Sequence, residues 1–87
     1  MTSDLSGQPN IGKGTERKLI QVGIHSLAEL QAAGAEQAFL RLQTIDPGAC
    51  IQLLYGLEGA IEGIPATKLS AGKKQELLEF HRMVKMK

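Results

Sequence analysis

The sequence is poor in aromatic residues and in cysteine, and each scarcity excludes a class of protein. Aromatic side chains make up 3% of the 87 residues, so the core must be built from Leu, Ile, Val and Ala. A lone cysteine, Cys50, excludes an intramolecular disulfide and a cysteine-based zinc site. There is no apolar run of the ~18 residues that a transmembrane helix needs, and the N-terminus lacks the pattern of a signal peptide. We therefore expect a cytoplasmic protein without a membrane partner.

An excess of charge of one sign is also lacking. Ten basic and nine acidic residues leave +1 at pH 7, far below the basicity of a dedicated nucleic-acid-binding domain. The charges are unevenly distributed, because residues 26–67 hold one arginine against five carboxylates and residues 68–87 hold six bases against two. A solvated helix end is the simplest explanation of the basic C-terminal segment.

The apolar pattern predicts an all-α fold, a compact bundle of about five helices. Apolar residues recur at steps of three and four along most of the chain, and no segment shows the alternation that is typical of a strand. The boundary signals divide the chain into helices at about 12–22, 26–34, 35–42, 46–62 and 70–86. Every connection is then short, as a small helical domain requires.

Particular residues mark the ends of these helices. Gly23 stands where a left-handed C-cap would fall, and Ser26 forms a capping box with Glu29. Asp46, which a proline follows, predicts the start of the fourth helix, because Asp caps helices and Pro fits the first helical position. Ser70 predicts the start of the last helix.

The longest apolar stripe lies on the predicted fourth helix. It places Leu54 and Leu57 in the core, and it makes Cys50 a small core residue rather than a nucleophile. Gly56 and Gly59 interrupt the same helix, where each costs ~1 kcal/mol relative to Ala. We expect close approach by another helix at these glycines, because a cofactor-binding glycine loop would need a preceding strand.

No arrangement of side chains predicts catalysis. His25 and His81 are far apart in the sequence, and neither has a nucleophile or a carboxylate at the spacing of a catalytic motif. Glu58 and Glu62 lie one helical turn apart but lack a third ligand, so a solvated helix face explains them better than a metal site. We expect no enzymatic activity, no metal and no cofactor.

Residues 8–19 predict a turn that is followed directly by a helix. Asn10 tolerates a left-handed conformation, Gly12 has no side chain, and Ile11 between them can anchor the turn in the core. Free backbone N–H groups at the helix start suit a phosphate, because the helix dipole is positive there. This layout resembles a helix-hairpin-helix, a motif that grips the nucleic-acid backbone without reading bases. The candidate contacts are Asn10, Ile11, Gly12, Lys13, Arg17 and Lys18.

The segment departs from the usual hairpin motif, and the departures keep a second interpretation open. Asn10 replaces the usual glycine, and Glu16 places a negative charge near the helix start, where a phosphate would bind. A turn that only organises the fold is the alternative to a nucleic-acid contact.

The chain as a whole resembles one family. The motifs that carry the resemblance are, in order, Pro9-Asn10-Ile11-Gly12-Lys13, Val22-Gly23-Ile24, Gly34-Ala35, Ala38-Phe39-Leu40-Arg41-Leu42, Asp46-Pro47, Ala49-Cys50, Leu54-Tyr55-Gly56-Leu57-Glu58-Gly59-Ala60-Ile61 and Gly63-Ile64. Together they resemble the C-terminal domain of the TfoX/Sxy regulators over residues 7–81. The resemblance implies a flexible N-terminus over residues 1–7 and a single helical domain over residues 8–87, present as a stand-alone chain.

The resemblance also implies a role. Full-length members of this family are bacterial regulators of natural competence that act with a cyclic-AMP-dependent activator at certain promoters. One expectation is a regulatory accessory protein in transcription and competence regulation, which contacts DNA weakly and without sequence preference. The alternative is a protein–protein interaction or oligomerisation module without direct nucleic-acid binding, whose partner is a transcription regulator or another copy of the chain.

Overall fold

The structure is a computed structural model that describes residues 5–7 and 11–85. This part of the chain forms four α-helices and two short 3₁₀ helices, and it contains no strand. The α-helices are α1 (Lys13–Gln21), α2 (Leu27–Gln43), α3 (Ile51–Glu62) and α4 (Ala71–Lys85), and the 3₁₀ helices span Leu5–Gly7 and Ala66–Lys68. The predicted all-α fold is confirmed.

The second and third helices predicted from the sequence are joined in α2. Gly34 lies inside α2 with φ 84° and ψ 157°, values outside the helical range, and it kinks the helix. A positive φ is strained for residues that carry a Cβ, so glycine suits this position. The described chain therefore has four α-helices where the sequence predicts about five, and the additional predicted boundary is this kink.

The predicted C-cap at Gly23 is confirmed. Gly23 has φ 90°, its N–H donates to the carbonyl of Ile20 at 3.1 Å, and the N–H of Ile24 donates to the carbonyl of Leu19 at 2.8 Å. These two bonds form a Schellman motif, which satisfies carbonyls at the end of α1. Gly63 ends α3 in a left-handed conformation as well.

Two serines cap the helices that follow them, as predicted. The Ser26 hydroxyl accepts from the N–H of Glu29 at 3.1 Å, and the Glu29 carboxylate accepts from the N–H of His25 at 2.8 Å. The Ser70 hydroxyl accepts from the N–H of Lys73 at 3.1 Å. Each cap satisfies a backbone donor that has no partner inside the helix.

The predicted start of a helix at Asp46 is wrong. α3 begins at Ile51, with Cys50 as its N-cap. The Asp46 carboxylate accepts from the N–H of Gly48 at 3.2 Å and also binds Lys18, so it closes a turn instead of capping a helix. Because Cys50 precedes the helix and is exposed, its predicted place in the core is wrong as well.

The core is built from aliphatic side chains, with Phe39 as its fully buried aromatic residue. Leu54 and Leu57 are both buried, as predicted. The buried apolar residues are Leu5, Ile11, Leu19, Ile24, Leu30, Ala35, Ala38, Phe39, Leu42, Leu54, Leu57, Ala60, Leu69 and Leu77. Leu5 adds a contact that the sequence did not indicate, because a single leucine has no periodicity. The sequence predicts a flexible N-terminal segment over residues 1–7. Of this segment, residues 1–4 lie outside the described residues.

α3 occupies the centre of the packing. It contacts α2, α4 and the second 3₁₀ helix, and both Gly56 and Gly59 are buried in it. Their burial agrees with the close approach of a neighbouring helix that the sequence predicts. On α4, His81 is buried and its ring lies against that of Phe39, with 5.7 Å between the ring centroids.

Replacing Leu54 or Leu57 with Ala should lower the free energy of unfolding by about 2–5 kcal/mol, because each substitution leaves a cavity in the core. Cys50→Ser is the matched control on the same segment. Its side chain is exposed at the N-cap of α3 and caps no N–H group, and serine is a preferred capping residue, so the change should leave the free energy of unfolding equal or raise it by about 1 kcal/mol. Urea denaturation followed by circular dichroism measures all three. Equal midpoints for the leucine variants and the wild type would contradict the central position of α3.

Candidate nucleic-acid interface

The candidate interface begins at the first turn of α1. Gly12 is the N-cap, with extended backbone (φ −91°, ψ 178°), and its carbonyl accepts from the N–H of Glu16 at 2.9 Å. The N–H groups of the three preceding residues, 13–15, consequently have no acceptor inside the helix. They point out of the end at which the helix dipole is positive, and such an end favours a bound anion.

The turn in front of α1 is anchored in the core. Ile11 is 5% exposed, so it fills the anchoring role that the sequence predicts for it. Asn10, which was also predicted as a backbone contact, lies outside the described residues. The burial of Ile11 fixes the position at which α1 starts, and it leaves the N-cap residue Gly12 at the surface.

Lys13 and Arg17 supply positive charge beside these N–H groups. Both side chains are exposed, and residues four apart lie on the same face of a helix. Glu16 also lies in the first turn and is half-buried. Its carboxylate opposes an anion at this end of the helix, so the local field is weaker than two bases alone would give.

Lys18, the third predicted base, is engaged within the domain. Its Nζ lies 2.7 Å from Oδ2 of Asp46, and the two side chains are 45% and 28% exposed. The hydrogen bond from Lys18 is the main cause that holds the pKa of Asp46 below its ordinary value of 3.8. The bond from the Gly48 N–H also lowers this pKa, whereas desolvation raises it. Lys18 thus ties α1 to the connection between α2 and α3, and its ammonium group is already paired with a carboxylate in this conformation.

The two histidines lie in different surroundings. His25 is exposed and its Nδ1 lies 3.4 Å from the carboxylate of Glu29, whereas His81 is buried against Phe39. Within residues 5–7 and 11–85, no group of three or more His, Cys, Asp or Glu residues is arranged to hold a metal ion. In the same part of the chain, no helix combines the length and the apolar character needed to cross a bilayer.

One charged group has surroundings that the sequence analysis did not predict. Glu58 does not lie on a fully solvated face: it is half-buried, beside Lys73. Desolvation, and next a hydrogen bond with Glu62, raise the pKa of Glu58 to about 7. The spacing of two glutamates one turn apart was the available signal, but it does not indicate the position of α4, on which Lys73 lies.

The sequence also matches a family model. The model that describes the TfoX C-terminal domain matches residues 1–81. This chain belongs to the TfoX C-terminal domain family. The family that its motifs resemble is thereby confirmed, whereas the hairpin-like contact with nucleic acid stays a prediction.

Two curated relatives of this TfoX C-terminal domain are longer proteins. Protein Sxy from Escherichia coli is 36% identical over 76 residues, which are 87% of this chain and 36% of that protein. The DNA transformation protein TfoX from Haemophilus influenzae is 35% identical over 75 residues, which are 86% of this chain and 35% of that protein. The chain spans about a third of the length of the curated relatives it matches.

Crystal structures share the fold of this TfoX C-terminal domain. An uncharacterized protein from Listeria monocytogenes, in a triclinic form, matches with a TM-score of 0.92 and 44% identity over 93% of this chain and 92% of that one. A protein of unknown function from the same organism, in a tetragonal form, matches with a TM-score of 0.88 and 46% identity over 91% of this chain and 98% of that one.

Lys18→Met should raise the pKa of Asp46 towards 3.8, because it removes the largest cause of the lowered value. A carboxylate whose pKa is lower in the folded state than in the unfolded state stabilises the fold at pH values above the unfolded-state pKa. This stabilisation is lost as the pH falls through the folded-state pKa. The variant should therefore lose stability at neutral pH and keep it at acid pH. A carbon-13 NMR titration of the Asp46 carboxyl measures the shift, and Lys13→Met, which removes an exposed lysine from the same helix, should leave it unchanged. An unaltered Asp46 titration in Lys18→Met would refute the ion pair.

Proposed function

We propose that this domain is a non-enzymatic regulatory module of transcription and competence control that touches the DNA backbone through the start of α1. Membership of the TfoX C-terminal domain family supports the regulatory role, and the Haemophilus relative is by name a DNA transformation protein. In this proposal the chain works in the bacterial cytoplasm, needs no cofactor, and reads no bases.

The observation that carries the contact with DNA is the geometry of the first turn of α1. The backbone donors of residues 13–15 and the exposed side chains of Lys13 and Arg17 belong to the same end of one helix. Backbone N–H groups and flexible bases bind phosphate oxygens, which are the same at every step of a duplex. Such a contact positions a protein on DNA and carries no sequence preference.

The expected strength follows from the number of free bases. With Lys18 held by Asp46, two side chains remain, and roughly 0.9 per neutralised phosphate gives a log–log salt slope of about −1.8. A contact of this size is weak alone. It becomes effective when a partner already bound nearby raises the local concentration of the domain, which fits an accessory protein better than an independent DNA binder.

A protein-interaction or oligomerisation module is the second candidate. Ile20, Ile45 and Met83 are large apolar residues that are 39%, 44% and 63% exposed, and the net charge is only +1. Binding through apolar side chains is nearly insensitive to salt, whereas binding through phosphates weakens steeply with added salt. Salt dependence therefore separates the two candidates. In the protein-interaction candidate, the partner is a transcription regulator or a second copy of the chain.

The double variant Lys13→Glu with Arg17→Glu should abolish binding to duplex DNA at low salt, because it reverses both free bases. Glu16→Ala should strengthen the binding, because it removes the opposing carboxylate. Fluorescence anisotropy with a labelled duplex measures both. The double variant Lys68→Glu with Arg82→Glu makes the same change of net charge outside α1, and it should have a much smaller effect. Equal losses for the two double variants, or no binding by the wild type at high protein concentration, would leave the protein-interaction module as the better account.

Asp46→Asn should strengthen the same binding, because it releases Lys18 from its ion pair. A third base adds one phosphate contact, so the salt slope should steepen to about −2.7. Adding Lys18→Met to Asp46→Asn should return the slope to about −1.8, and this pair of variants is the internal control. A slope that Asp46→Asn leaves unchanged would show that Lys18 has no access to DNA even when it is released.

A further inference from the structure

A cleft of about 240 Å³ lies between α3, the second 3₁₀ helix and α4. The described residues that line it are Gln52, Tyr55, Ala66, Thr67 and Lys74. Their side chains supply one ammonium group, two hydroxyl groups and one amide, each of which can donate a hydrogen bond, and none of these lining residues carries a carboxyl group. The lining therefore favours a ligand that accepts hydrogen bonds and carries negative charge.

Lys74 gives the clearest indication of an anion. Lys18 and Lys73 are half-buried bases as well, and each has a carboxylate partner: Lys18 lies 2.7 Å from Asp46, and Lys73 lies 3.4 Å from Glu76. Lys74 is also half-buried, but among the described residues no carboxylate forms a salt bridge with it. Burial disfavours a charged group unless an opposite charge is close. A bound anion would supply that charge.

The first turns of two α-helices contribute to the same cleft. Gln52 is the second residue of α3, and Lys74 is the fourth residue of α4. Neither helix has an acidic residue in its first turn, whereas Glu16 opposes an anion in the first turn of α1. Because the helix dipole is positive at the N-terminal end, both helix starts add to the positive potential that Lys74 provides.

The size of the cleft and the placement of its donors select among anions. Its volume is below the ~300 Å³ at which pockets begin to hold drug-sized ligands, so it has room for one anionic group and a few carbon atoms. The donors come from three separate elements, which suits the tetrahedral oxygens of a phosphate better than the planar oxygens of a carboxylate. Lysine binds phosphate as a point charge, whereas arginine is the side chain that pairs with carboxylates in two-point contacts.

We propose that the cleft between α3, the second 3₁₀ helix and α4 binds the phosphate group of a small phosphate monoester. Lys74 supplies the opposite charge, and the hydroxyl groups of Tyr55 and Thr67 and the amide of Gln52 donate to phosphate oxygens. The Tyr55 ring and the Ala66 methyl group line the space for the short carbon chain. A monoester carries a charge of about −1.5 to −2 at pH 7, more than the single charge of a diester in a DNA backbone. This inference does not depend on a contact between α1 and DNA.

An NMR titration of the backbone amides with glycerol 3-phosphate tests the proposal. We expect saturable shifts that are largest in residues 51–55, 66–68 and 71–74. Inorganic phosphate should shift the same amides with lower affinity, because it lacks the carbon chain, and acetate should bind more weakly still. An affinity for inorganic phosphate equal to that for glycerol 3-phosphate would overturn the choice of an ester. An affinity for acetate equal to both would overturn a phosphate site.

Lys74→Met should weaken the binding of glycerol 3-phosphate about tenfold, because it removes a hydrogen bond between charged groups. Tyr55→Phe keeps the ring and removes the hydroxyl group, so it should cause a smaller loss. Lys68→Met is the matched control: it removes an exposed lysine of the second 3₁₀ helix that does not line the cleft, and the affinity should stay within about twofold of the wild type.

Three other results would overturn the site. Equal affinities of Lys74→Met and the wild type, or equal losses in Lys74→Met and Lys68→Met, would mean that Lys74 only keeps its ammonium in water above a buried stem. Shifts in residues 12–16 that Lys13→Met abolishes would place the phosphate at α1 and would support the proposed contact of that helix with DNA. Displacement of glycerol 3-phosphate from the cleft by duplex DNA would replace the small ligand with a backbone phosphate.

Discussion

The central position of α3 is the constraint on which most of the structure depends. Fully buried aromatic side chains are scarce in the described core, where Phe39 is the one that is present, so helices must approach closely to fill space. Gly56 and Gly59 are buried on α3, and they allow such an approach to its neighbours. Glu58, which directly precedes Gly59 on α3, is half-buried.

A single ion pair accounts for two of the differences between expectation and structure. Because the Asp46 carboxylate binds Lys18 and the N–H of Gly48, it does not cap a helix, and α3 begins later, after Cys50. The same pair removes Lys18 from the set of free bases on α1. A contact between residues 28 positions apart therefore changes both the helix boundaries and the charge that the candidate interface presents.

Sequence patterns predict those features whose partners lie close by in the chain. The caps at Gly23, Ser26 and Ser70 use hydrogen bonds between residues at most five positions apart, and helical periodicity places Leu54 and Leu57 in the core because it repeats within a few turns. Features that need a distant partner escape such patterns. The binding partner of Asp46 lies on α1, and Lys73, which interacts with Glu58, lies on α4, so neither contact could be predicted before the helices were placed in three dimensions.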